Sequence, residues 1–287
     1  MKADAFAKRW LLPPGVARLS KYVRSFRGKS TVDRYVRRSD KLFVLANGPS
    51  LTKDVERYEG ELLANDCLAV NYIALSDLYA RFKPKVYLLC DPAFFADFGT
   101  IGATTKDKTV RLLETLAHKT TWPMTLVVPD RVMKSEFITN LDNPNVTVVC
   151  YASRGLRPER DDDFSRWMKG RCPPVQTVTG TAVFLGVYWR YPETWLLGAD
   201  TSLHRLINVE QDTNRLYWMD EHFYGTERCY AYKDETDTEL FTMSELLRSV
   251  ANMFQDYELI RKFADHVGVK VVNASSFSFI DAFERAM

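Results

Sequence analysis

The chain has 287 residues, 46% of them hydrophobic and 26% charged, with a formal net charge of +2, the balance of a soluble globular protein. That length buries a large core, as one big domain or one domain with an insertion. No apolar stretch approaches a membrane span, no cleavable leader pattern follows the N-terminus, and five widely spaced cysteines without a CxxC pair argue against zinc and for a cytosolic, reduced setting.

The small net charge hides a basic head. Between Lys2 and Arg38 eleven Lys or Arg stand against Asp4 and Asp33, interleaved with Phe6, Trp10, Leu11, Leu12, Leu19, Tyr22, Val23 and Phe26. Such a segment suits an amphipathic helix on an anionic membrane surface, giving a cytoplasmic protein peripheral to the membrane. A solvated helix packed on the domain fits the pattern equally. No nucleic-acid motif accompanies the head, so nucleic acid is not an expected partner.

From residue 39 on, apolar runs alternate with helical patterns. In chain order come LFVLAN (42–47), CLAVN (67–71), a short helix over Ser76–Phe82 and VYLLCD (86–91). A helix over Asp107–His118 follows, with Val110, Leu112, Leu113 and Leu116 at helical spacing, then TLVVPD (125–130) and VTVVCY (146–151). Ala152–Cys172 is strongly charged and aperiodic. Next are a very apolar helix over Gly180–Arg190, WLLGAD (195–200), an irregular interval Thr201–Leu240, a long helix over Thr242–His266 and VKVVNAS (269–275). Short Val- and Leu-rich runs without strict alternation fit strands covered on both faces. The expected fold is α/β, a Rossmann-like, mainly parallel sheet with helices on both faces. One domain, 39–287, carries a lid at about 152–172 and a smaller irregular segment at about 201–240; plain surface excursions remain an alternative for both.

Asn47, Asn71, Asp91, Asp200 and Asn273 each close an apolar run. In an open parallel sheet, ligands bind outside the carboxyl ends of the strands, so these side chains would surround one crevice. Each also suits an ordinary turn or helix cap. After Asn47, Gly48 would let a ligand approach the backbone, Pro49 would stiffen the turn and Ser50 would cap the next helix, whose start favours phosphate. TVTGTA (177–182) is a second such turn, with Thr179 and Gly180 opening a helix. Two phosphate-compatible turns suggest a nucleotide or nucleotide-sugar, though neither is a Walker loop nor a dinucleotide fingerprint.

LFVLANGPSL, then AVN, then CDPAFF resembles the bacterial sialyltransferases of glycosyltransferase family 42. TGTAVFLGVYWRYPETWLLGAD, EHFYG (221–225) and VVNASSFSFIDAF (271–283) resemble later motifs of that family, in order, over roughly Lys41 to the end. The resemblance implies a CMP-activated sugar as donor substrate, no separate cofactor, no metal and an inverting transfer to a glycan or glycolipid hydroxyl, as in lipopolysaccharide or capsule assembly. Asn47, Gly48, Pro49, Ser50 and Asn71 would hold the donor's phosphate and ribose, with Asp91, Pro92 and Asp200 nearby. Thr179 and Gly180 would line the nucleotide pocket, and Asn273, Ala274 and Ser275 would close its cytidine side. His222 would be the general base, and Ala152–Cys172 would order over the donor.

The chemistry agrees, because an alcohol acceptor needs a base and histidine titrates near working pH. His204 is the rival base; His118 and His266 end helices and read as caps. The family's two phosphate-supporting tyrosines are absent after Asp200, where Thr201 and Ser202 stand, leaving Tyr217 as substitute. Arg171, or Gln176, replaces its arginine. The transferred sugar is therefore open among sialic acid, another nonulosonic acid and Kdo. Asp161-Asp162-Asp163, among arginines, reads as a solvated charge cluster and not a metal site. A pterin-type diphosphokinase using Asp91 and Asp200 for magnesium, and a non-catalytic nucleotide- or glycan-binding module, are the alternatives. Homo-oligomerisation is left open.

Overall fold

Each of the seven apolar runs supplies a strand. The computed structural model describes residues 30–99, 103–153, 164–173, 175–230 and 240–286. The strands are β1 (Lys41–Leu45), β2 (Asp66–Val70), β3 (Val86–Leu88), β4 (Met124–Pro129), β5 (Val146–Tyr151), β6 (Glu193–Leu197), β7 (Ile207–Glu210), β8 (Arg215–His222), β9 (Gly225–Tyr230), β10 (Lys270–Asn273) and β11 (Glu284–Arg285). The helices are α1 (Leu51–Arg57), α2 (Glu59–Ala64), α3 (Asp77–Phe82), α4 (Ala103–His118), α5 (Glu136–Thr139), α6 (Val178–Tyr188) and α7 (Met243–Val267).

Eight strands form one sheet in the order β11-β10-β6-β1-β2-β3-β4-β5, and every pairing in it is parallel. All of β2, and β1 from Leu42 to Leu45, is buried, which requires cover on both faces and explains why these runs do not alternate. The fold is thus the expected Rossmann-like α/β arrangement. Helix α6 is apolar nearly all round because it is wedged between this sheet and α7, with Phe184 stacked on Phe263 at 5.8 Å. Helix α7 starts at a capping box formed by Thr242 and Glu245 and stops at Gly268, whose φ of +73° a glycine adopts freely.

Thr201–Leu240 departs from expectation. It carries a three-stranded antiparallel sheet, β7-β8-β9, with Ile207 opposite Trp218 and His222 opposite Gly225. Its small core is Leu216, Trp218 and Cys229 with Phe241 and Leu246 of the α7 region. The period was hidden because only alternate residues of RLYWMDEH are deeply buried, at Leu216 and Trp218, and the rest is charged or polar.

The expected lid is only partly described. Its C-terminal part is packed rather than open: Trp167 is fully buried against Phe184 and Phe263, and Ala152 is bridged to Arg171. The Asp161–Asp163 cluster and the basic head up to residue 29 lie outside the described residues. Residues 30–38, expected in the head, instead dock on the sheet. Val32 is fully buried, its carbonyl accepting from Trp189 Nε1 at 3.0 Å, and Thr31 N donates to the Cys150 carbonyl at 2.7 Å. No described helix is long and apolar enough to cross a membrane.

Candidate active site

Strand β1 lies between β2 and β6, and the chain leaves β1 toward one edge of the sheet and β6 toward the other. The loops after these two strands diverge, leaving a crevice at the topological switch point. A cavity of about 240 Å³ occupies it. Asn47, Asn71, Asp91 and Asp200 reach its wall from the strand ends, Thr177–Thr179 from the start of α6, and Asp220–His222 from β8.

The Gly48-Pro49-Ser50 turn does not offer the phosphate cradle expected of it. Gly48 N donates to the Gly198 carbonyl at 2.7 Å, Ser50 N to the Asp200 carboxyl at 3.2 Å, and Leu51 N to the Gly48 carbonyl at 3.0 Å. Proline has no N–H, and Pro49 sits exposed at the corner. A Cβ on Gly48 would lie 2.2 Å from Asp200 Oδ1 and 2.5 Å from the Gly198 carbonyl, so the glycine admits the neighbouring loop, and Gly48 itself lines the cavity.

Ser50 does not cap α1 either. Its Oγ lies 2.5 Å from Asp200 Oδ1 and 3.1 Å from Asp54 Oδ2, and its one proton donates to one carboxyl at a time. Burial raises the Asp200 pKa above the ordinary 3.8, against the donors from Ser50 and with the help of nearby Asp54. Asp200 lines the cavity, but its oxygens are turned to Ser50.

Asn47 and Asn71 are 8% and 1% exposed, and the Oδ1 atom of each has no hydrogen-bond partner among the described residues. A buried amide left unpaired is costly and calls for an explanation. Asn71 also sits at φ +51° and Thr201, β-branched, at φ +52°, so two wall residues hold left-handed backbone. Asp91 faces the cavity and also caps the turn Pro92–Phe95 by accepting from Ala93 N at 2.7 Å. Pro92 belongs to that turn and does not reach the cavity.

The second phosphate-compatible turn differs. Thr177 caps α6 by accepting from Gly180 N at 2.9 Å, which engages the Gly180 amide. The N–H groups of Val178 and Thr179 have no hydrogen bond among the described residues, and both residues line the cavity. The positive end of the α6 dipole therefore points at the crevice.

Asn273, Ala274 and Ser275 do not close the cavity. Strand β10 is one strand beyond β6, and its end is spent holding the following turn. Asn273 Nδ2 donates to Ser278 Oγ at 2.9 Å and the Ile280 carbonyl at 3.0 Å, Ser275 Oγ accepts from Ala199 N at 2.9 Å, and Ala274 N donates to the Leu196 carbonyl. Tyr217 lies outside as well, its ring under the Arg228 guanidinium at 3.9 Å. Arg171 is exposed beside Ala152 and away from the cavity.

His222 reaches the wall because Asp220 and His222 are two apart on a strand and share a face, with Nε2 and Oδ2 3.2 Å apart. The turn that follows is pinned to the sheet: Phe223 N donates to the Asn47 carbonyl at 3.0 Å. His204 instead turns its ring edge-on to Phe279 at 4.4 Å, although its neighbours Ser202 and Leu203 line the cavity. His266 packs on Phe164 in the last turn of α7, and His118 closes α4. Sequence reasoning missed the face of α7 that completes the wall, Ser249, Val250, Met253 and Tyr257; their helical spacing was the available signal. Four acidic residues, Asp91, Asp200, Asp220 and Glu221, line the cavity, and no Lys or Arg does so among the described residues. No cluster of three or more His, Cys, Asp or Glu suited to a metal occurs among them.

Fold and crevice together define a Rossmann-like α/β protein with its cavity at the switch point. No family model and no curated protein matches the chain. Among solved structures it is similar to the MAf glycosyltransferase from Magnetospirillum magneticum AMB-1, at 14% identity and a TM-score of 0.47 over 88% of this chain. The match covers 35% of that protein, so this chain spans about a third of its length.

Proposed function

We propose that this protein is a glycosyltransferase that moves a sugar from a CMP-activated donor to a hydroxyl of a glycan acceptor. The observation that carries the reading is one cavity with the His222–Asp220 pair on one wall and, on another, Asn47 and Asn71, whose buried Oδ1 atoms have no partner among the described residues. The Val178 and Thr179 N–H groups, unpaired among the described residues, are the anion-binding element, in place of the Gly48-Pro49-Ser50 turn. A CMP ester presents a single phosphate, which one helix N-terminus can receive. The order of sequence motifs supports sialic acid, another nonulosonic acid or Kdo as the sugar.

In this mechanism His222 takes the acceptor hydroxyl's proton on Nδ1 while Nε2–H donates to Asp220, which fixes the tautomer. The acceptor oxygen bonds to the anomeric carbon as the bond from that carbon to the phosphate oxygen breaks. The electron pair leaves with CMP, and the centre inverts. The diphosphokinase alternative, in which Asp91 and Asp200 could hold magnesium, is the less favoured reading because the Asp200 oxygens are engaged by Ser50.

Calorimetric titration in EDTA should find CMP bound in preference to UDP, GDP or ATP. His222→Ala should leave the CMP Kd nearly unchanged and lower kcat about 10²–10⁴-fold. Preference for UDP, an absolute magnesium requirement, or a silent His222→Ala would overturn the reading. The basic head would hold the enzyme near glycolipid acceptors on an anionic membrane surface. Deleting residues 2–29 should then abolish sedimentation with anionic vesicles, and binding that survives the deletion would count against it.

A further inference from the structure

Asn71 follows β2 with its backbone at φ +51°, and its Oδ1 is buried without a hydrogen-bond partner among the described residues. A left-handed turn alone calls for glycine or asparagine. It does not account for a buried oxygen left unpaired in a residue that lines the cavity, a cost that glycine at the same φ avoids. The turn is held from the neighbouring strand. Tyr87 of β3 is fully buried; its hydroxyl donates to the Asn71 carbonyl and accepts from Ala74 N at 2.9 Å. One phenol oxygen thus braces the turn Asn71–Leu75 at two points. The reach is set by strand pairing, because Tyr87 lies beside Ala69, two residues before Asn71. Tyr79 meets the Tyr87 ring edge-on at 5.8 Å, and the Tyr79 hydroxyl lies 2.6 Å from Thr120 Oγ1. Tyr87 itself does not line the cavity.

We infer that Tyr87 is a positioning residue for nucleotide binding: its hydroxyl holds Asn71 in left-handed backbone and so keeps that residue's amide at the cavity wall. The inference rests on the transferase reading above, which names the ligand. Left-handed backbone is strained for any residue but glycine, and such strain persists only where the surroundings impose it. Without the hydroxyl, the Asn71 carbonyl and the Ala74 N–H lose their shared partner in a buried setting. The turn then gains by relaxing to negative φ, which swings the Asn71 side chain away from its place in the wall.

The test joins calorimetric titration of CMP to NMR of the full chain labelled only at asparagine. The Asn71 signals are those lost in Asn71→Gly, a change that deletes the amide and still permits positive φ. In Tyr87→Phe their carbon shifts should move from left-handed toward negative-φ values. The CMP Kd should rise about three- to tenfold in Tyr87→Phe and in Asn71→Gly alike, the worth of one hydrogen bond. The double variant should bind within about twofold of Asn71→Gly, because the phenol acts through the amide. Its urea midpoint should nonetheless fall below that of Asn71→Gly, which separates bracing the turn from binding. If Tyr87→Phe folds poorly, the same measurements are made in sucrose, which favours the compact state. Unmoved Asn71 shifts, an unchanged CMP Kd in Tyr87→Phe, or Kd rises that multiply in the double variant overturn the positioning role. Shifts that move in a chain that binds no CMP leave Tyr87 holding Asn71 and defeat the transferase reading alone.

Discussion

At position 48 the side chain is a hydrogen atom, and nothing larger fits between the ends of β1 and β6. The obstacles are the Gly198 carbonyl and an Asp200 carboxyl held by Ser50, neither of them the free end of a flexible side chain. Gly48→Ala should therefore destabilise the fold by about 2–3 kcal/mol or more in urea denaturation, the upper range for overpacking. Gly60, inside α2 with nothing within 4 Å of the place a methyl group would take, is the control. Gly60→Ala should stabilise by about 0.5–1 kcal/mol, as glycine is costly in a helix. Equal effects at the two sites would show that the crevice is looser than its contacts indicate. The strand-end polar residues were readable because Asn and Asp interrupt apolar runs. Which backbone amides stayed free was not. The partners of Gly48 and Ser50, at Gly198 and Asp200, are about 150 residues away in the chain, and only the folded pairing of β1 with β6 brings them close.

The elements differ in how much of themselves they bury, and that decided which were legible. The central strands of the main sheet are buried on both faces and announce themselves as unbroken apolar runs. Helix α6 does so too, because eight of its eleven residues are buried. The β7–β9 sheet buries one face on a satellite core, and the charged residues of its other face concealed it. Yet this sheet carries the candidate base. Leu216, 4% exposed, belongs to that core and not to the cavity wall. Leu216→Ala should cost about 2–5 kcal/mol locally. Because the satellite core is small and separate, the loss should fall on the hairpin's own opening rather than on the main sheet. Hydrogen exchange should rise across β8 and β9 and stay unchanged in β1 and β2, with kcat falling more than CMP affinity. A uniform rise across both sheets would show that they unfold as one unit.

At the scale of the whole sheet, one carboxyl group bonds to segments that follow three of its strands. Asp54, in α1, is fully buried; Oδ1 accepts from Ser276 N at 2.7 Å and Oδ2 from Gly198 N at 2.9 Å, with Ser50 Oγ at 3.1 Å. Those donors follow β10, β6 and β1, three adjacent strands of the sheet, so the group ties together segments that are distant in sequence. Asp54→Ala leaves two buried N–H groups unpaired, each worth about 1–3 kcal/mol, and should cost about 3–5 kcal/mol in all. That is a large share of the roughly 5–15 kcal/mol that holds a domain together. Asp54→Asn should recover little, because its NH₂ faces a donor. The buried thiols report on opening: burial pushes Cys67 and Cys90 up to about 12, so both are protonated and shielded at pH 8 in the folded protein. Their alkylation by iodoacetamide should be slow in the native chain and about 10²-fold faster or more in Asp54→Ala, in step with the urea midpoint. A labelling rate within about threefold of the native chain would mean that sheet packing, and not Asp54, holds the strand ends in register.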